Sequence, residues 1–245
     1  MKYFYTISLV CLLAVVAGCN KDTTNNTVTS GGITVKVNYK VGNQPLIFDT
    51  VAFTNEAGNQ YNVEKLQYYL SGFRFYKDNK LKFTSLEVFY LDARVDSTAT
   101  FALTKLAGMH TDTYDSVSFY IGVDPVVNIS NSLPQTLANI DMGWPDMMGG
   151  GYHFLKMEGH WKDNGSYSGY AMHMGSNYYQ AKAGVKCSLV VGQAANATLS
   201  MTMNINEWFS NPHTYNFATD GVFTMGNAVL MQKLTDNGAD VFHSN

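Results

Sequence analysis

Three histidines and a crowd of methionines mark one block of the chain as the place where chemistry could occur. His153 and His160 lie in GGGYHFLKMEGHW (149–161), and His173 lies in YAMHMG (170–175). Met142, Met147, Met148, Met157, Met172 and Met174 are interleaved with them. Imidazole nitrogen and thioether sulfur are borderline and soft donors, a combination that suits copper, above all copper(I). Methionine is also the unbranched side chain that fills irregular cores, so the pattern leaves a metal site and an ordinary apolar face both open. Other chemistry lacks its signatures: there is no HExxH, CxxC, GxSxG or P-loop. Lys156 and Glu158 stand two apart on a strand, the spacing of a neutralised charge pair more often than of an acid–base couple.

The elements that must position these residues begin with a hairpin. Asn164-Gly165 is a strong two-residue turn signal, because a type I′ turn needs positive φ at both central residues. With that turn, Asp163 faces Ser166, Lys156 falls opposite His173, Met157 opposite Met172, and Leu155 opposite Met174. Strict alternation then gathers Leu155, Met157, Met172 and Met174 on one face, with His153 at its end. Tyr152, Phe154, Lys156, Glu158, His160 and His173 share the other. On this parity His153 and His160 point to opposite faces and do not grip one ion together, which makes His173 the stronger metal candidate.

The rest of the chain reads as short strands. Residues 33–39 alternate apolar and polar, and 66–76, 86–91 and 117–123 are aromatic or β-branched runs bounded by turn residues. Residues 185–191 and 198–206 read as a second hairpin, with Leu199, Met201, Met203 and Ile205 on one face. Residues 124–151 carry Pro125, Pro134 and Pro145 without a period and read as a long excursion. Asn227 is positioned to cap a helix bearing Val229, Leu230 and Leu234, which Asn237-Gly238 would end. Together these predict one all-β domain over residues 33–245, an antiparallel β-sandwich with a short C-terminal helix. Trp161 and Trp208 read as packed aromatics, and Trp144, between Gly143 and Pro145, as the more exposed.

Sixteen Lys and Arg against nineteen Asp and Glu give a net charge of −3 with no basic stripe, which argues against nucleic acid as a partner. At the N-terminus Lys2 precedes an apolar run too short to span a bilayer permanently, so residues 1–18 read as a signal peptide. Val16-Ala17-Gly18-Cys19 resembles a bacterial lipobox, which would make Cys19 the acylated first residue and membrane anchor; a plain secretory signal is the alternative. Residues 19–32 are polar and aperiodic and read as a flexible tether. With Cys11 removed and Cys19 acylated, Cys187 stands alone and no internal disulfide is possible. It reads as a small buried hydrophobe.

The phrases LQYYLSGFRF, YLDA, SVSFYIGVD, GGGYHFLKMEG, YAMHMG and MGNAVLMQKLTDNGADVF occur in this order across residues 33–243. As a set they resemble the copper-binding MbnP-like family of secreted and lipidated bacterial proteins. The resemblance implies a β-sandwich in the bacterial cell envelope. It would be anchored through Cys19, with the outer membrane as the expected address, on its periplasmic or surface face. It further implies a non-enzymatic role in copper acquisition or handling, and association with MauG-like di-haem cytochrome c peroxidases. In some members such an enzyme oxidises a Trp to kynurenine, which joins histidines in holding copper. The family's strand histidine matches His173, and its Trp-bearing loop matches the loop of Trp144, although the spacing from Trp144 to Tyr152 differs from the family's double-Trp pattern. Copper-binding members carry an Asn-His pair where this chain has Asn128-Ile129, so His153 and Met142 complete the candidate ligand set beside His173 and Trp144. The alternative is a metal-free module whose aromatic-rich face contacts a protein or glycan. A haem lipoprotein is a weaker third.

Overall fold

The computed structural model describes residues 26–245; the expected signal peptide and Cys19 lie outside the described residues. In chain order the strands are β1 (Ile33–Val41), β2 (Gln44–Pro45), β3 (Phe53–Thr54), β4 (Gln60–Tyr61), β5 (Lys65–Lys77), β6 (Lys80–Asp92), β7 (Thr100–Leu103) and β8 (Asp112–Ile121). They continue with β9 (His153–Asp163), β10 (Ser166–Gly175), β11 (Ala181–Val191), β12 (Ala197–Asn204) and β13 (Phe242–Ser244). Two helices join them, α1 (Leu137–Asp141) and α2 (Ala228–Asn237). A five-stranded sheet holds β13, β12, β1 and β2 in order, with β7 also on β1. An eight-stranded sheet holds β11, β8, β5, β9, β4 and β3, with β6 on β5 and β10 on β9. Alternating apolar residues of both sheets meet in one core: Ile33, Val35 and Val37 from β1, and Leu199, Met201 and Met203 from β12, are all buried. The β-sandwich expected from the strand pattern is the fold observed.

Two features of the fold differ from the expected arrangement. Residues 185–191 and 198–206 do not form a hairpin. β11 pairs with β8 in the larger sheet, whereas β12 crosses to the smaller one and runs parallel to β1, Ile33 opposite Ala197 through Lys40 opposite Asn204. Half-buried strands alternate alike in either sheet, so the pattern alone does not choose between them. The end of the expected tether is also held in place. Val28 N–H donates to the Met109 carbonyl at 2.8 Å, and Thr111 N–H donates to that of Asn26 at 2.7 Å. The helix cap is as anticipated, with the Asn227 side chain accepting from Leu230 N–H and Gly238 closing the C-terminus. Leu230 and Leu234 are buried, and Val229 faces solvent.

One junction positions the candidate site. Along a single edge of β5, Lys65–Tyr68 pair with β9 and Leu70–Tyr76 pair with β8, so β8 ends where β9 begins. The excursion between them therefore leaves and returns at one place. Phe154 seals that place by packing its ring on Gly122, where a Cβ would collide with it.

Candidate functional site

The β9–β10 hairpin has the predicted turn and register. Asn164 and Gly165 have φ of 48° and 91°. Lys156 lies opposite His173, Met157 opposite Met172 and Leu155 opposite Met174. Leu155, Met157, Met172 and Met174 are fully buried in the core. Each such side chain contributes roughly 1.5–3 kcal/mol of burial, which accounts for these methionines without a metal.

The parity breaks just beyond them. Met174 faces Leu155, but Gly175 faces His153, so Phe154 is an extra residue in β9. A β-bulge of this kind resets the alternation. It turns His153 away from the methionine face and toward His173, correcting the expected placement. The two imidazoles lie 5.2 Å apart, centre to centre, at 88°. His160 is remote from them, exposed and bonded to Glu64 at 2.6 Å, so His153 and His160 indeed do not share a site.

The excursion folds over the outer face of the hairpin. Thr136 caps α1, and just past its end the Met142 carbonyl accepts the His153 backbone N–H at 2.6 Å and lies 3.3 Å from its Nδ1. Met142 itself is fully buried, and the contact tying it to the site is this carbonyl. Trp144 is only 3% exposed, which corrects the expectation of an accessible indole. Its ring stands edge-on to His153 at 4.8 Å and lies so close to Gly175 that a Cβ there would collide with it. Its Nε1–H donates to the Met148 carbonyl at 3.1 Å. Gly149, Gly150 and Gly151 all have positive φ and carry the loop back into β9. Trp161 and Trp208 are packed, as their contexts suggested. Cys187 is half-buried, and burial raises its thiol pKa.

Electrostatics prepare both rings. Burial, reinforced by the Lys156 ammonium and the His173 ring, depresses His153 to about 4, against carbonyl hydrogen bonds that oppose the shift. It is therefore neutral at pH 7. A carbonyl can only accept, so the His153 proton sits on Nδ1 and Nε2 keeps its lone pair. His173 Nε2 lies 2.9 Å from Glu158 Oε1. That hydrogen bond is the main cause of the Glu158 carboxyl falling to about 2, with Lys65 at 3.0 Å adding to it. An ionised carboxylate also only accepts, so neutral His173 would leave its Nδ1 lone pair free. A histidine whose other nitrogen is fixed by a carboxylate or carbonyl is the usual form of a metal-binding imidazole.

Several supporting residues carried no local signal in the sequence. The Thr224 hydroxyl accepts His173 N–H and donates to His173 C=O, both at 2.7 Å. Lys156 is buried and reaches Asp141 with its Nζ, 2.5 Å from the carbonyl and 3.0 Å from Oδ2. Asp141 and Thr224 come from segments distant in sequence, so only the tertiary fold brings them to the hairpin. Asn128, of the Asn-Ile departure, accepts Tyr152 N–H at 3.0 Å. Ile129 is exposed and lines a surface groove with Leu86 and Phe89.

Among the described residues no three His, Cys, Asp or Glu assemble as a metal cage. The donor set is thus two imidazoles under a covering indole. That falls short of the four ligands zinc takes in structural sites; imidazole is a donor that suits copper among other metals.

The MbnP family model matches residues 30–230. The solved structure of MbnP from Methylosinus trichosporium is similar at 15% identity and a TM-score of 0.49, over 74% of this chain and 78% of that one. No curated protein matches the chain.

Proposed function

The chain belongs to the MbnP family, and from that premise we propose that it is a lipid-anchored, non-enzymatic copper-binding protein of the bacterial cell envelope, holding copper(I) between His153 and His173. The observation that carries this reading is the pair of imidazoles packed edge to face at 5.2 Å, one held through a ring nitrogen by a carbonyl and the other by a carboxylate. Copper would be the cargo, held by the imidazoles. The chain's own residues orient the rings, keep His153 unprotonated and exclude water with Trp144. Met142 acts through its carbonyl, and Trp144 acts as a cover rather than as the exposed ligand first expected. A MauG-like di-haem peroxidase belongs to the same proposal.

Titration of the purified domain with copper(I) tests the proposal. One equivalent binds to the wild type, and His153→Ala or His173→Ala each weaken it by at least about an order of magnitude, no less than the loss of an outer-shell partner costs a metal site. No binding, or binding indifferent to both substitutions, removes the copper function. A metal-free interaction module would then stand, favoured by the exposed Val126, Ile129, Leu137 and Ile140 of the excursion.

A further inference from the structure

We propose that Met147, Met148 and Met225 form a thioether rim that captures copper(I) and hands it to His153 and His173; this rests on the histidine pair being a copper site. The described residues contain eleven methionines. Met109, Met142, Met157, Met172, Met174, Met201, Met203 and Met231 are buried, and the three that reach solvent all lie on segments bonded to the site. Met147 is 93% exposed and Met225 is 39% exposed, so packing does not account for them.

Both segments that bear them are bonded to the site. The Met148 carbonyl takes the indole proton of Trp144, whose ring edges His153. Met225 follows Thr224, whose hydroxyl holds both backbone groups of His173. The two segments touch each other, since the Met148 methyl lies 3.9 Å from where a Cβ of Gly226 would stand. One methionine segment is thus bonded to the cover of His153 and the other to the backbone of His173, and the two come together at Met148 and Gly226.

Thioether sulfur is a soft, uncharged donor that selects copper(I) over zinc, calcium or magnesium. It binds weakly enough to release the ion to stronger imidazole ligands. Transfer is a ligand substitution: copper–sulfur bonds break, copper–nitrogen bonds form, and copper stays at +1.

Stopped-flow transfer of copper(I) from its bicinchoninate complex provides the test, on wild type and on Met147→Leu/Met148→Leu/Met225→Leu, a volume-conserving change. The triple variant loads at least about 10-fold more slowly, and reaches the same final affinity. Equal loading rates in the two proteins overturn the rim while leaving the histidine site standing. Loss of final affinity in the triple variant also overturns it, by making the methionines ligands of the resting site. Failure of the wild type to take up copper(I) overturns both proposals together.

Discussion

Acid should unfold this protein partly through His153. Folded His153 has a pKa of about 4 against 6.5 for the free side chain, with burial under the Trp144 loop as the main cause. A folded state that binds the proton less readily than the unfolded chain is fully stabilised above pH 6.5 and loses that stabilisation as pH falls toward 4. The whole shift corresponds to about 3 kcal/mol, and most of it falls between pH 7 and pH 4.5. Urea denaturation of wild type and His153→Gln at those two pH values isolates the term. Glutamine does not titrate, and the remaining groups are common to both proteins. The wild type should lose about 2 kcal/mol more than the variant over this interval. Equal losses, or a His153 titration midpoint near 6.5 by NMR, would refute the placement of this ring beneath the loop beside Lys156.

Three further outcomes follow from the same geometry. Gly175→Ala pushes a methyl into the Trp144 ring; it should cost about 1–3 kcal/mol and shift tryptophan fluorescence to the red as the indole leaves its cover. Thr224→Val leaves the partly buried His173 N–H without its acceptor; urea denaturation should show a loss of about 1–3 kcal/mol, with faster hydrogen exchange at that amide. Glu158→Ala removes the acceptor that orients His173; copper(I) affinity, measured by chelator competition, should fall on the order of 10- to 100-fold.

Local signals carried much of the fold. Asn164-Gly165 specified its turn because few residues adopt positive φ at both positions, and the register of the hairpin followed by counting outward. Asn227 and Gly238 marked the ends of a helix through capping chemistry that acts within one turn. Long-range choices were not legible. Nothing within residues 192–196 states that β12 joins the other sheet, or that it runs parallel to β1. The facing of His153 depended on a bulge whose cause is tertiary, the packing of Phe154 on Gly122 where β8 and β9 share an edge of β5. The cover on Trp144 depended on Gly175, some thirty residues away in sequence, and not on its own Gly and Pro neighbours. His173, His153, Met142 and Trp144 were identifiable as a group from sequence and resemblance. Their roles as ring, facing ring, carbonyl anchor and cover emerged only from the structure.

The most direct measurement is long-range nitrogen–proton correlation NMR of the histidine side chains before and after one equivalent of copper(I), which is diamagnetic. The chain has six histidines, His110, His153, His160, His173, His213 and His243. A copper centre on the hairpin predicts large shifts at His153 Nε2 and His173 Nδ1, with the other four rings unmoved. Shifts confined to His160, His213 or other surface rings, or no shift at the facing pair, would contradict it.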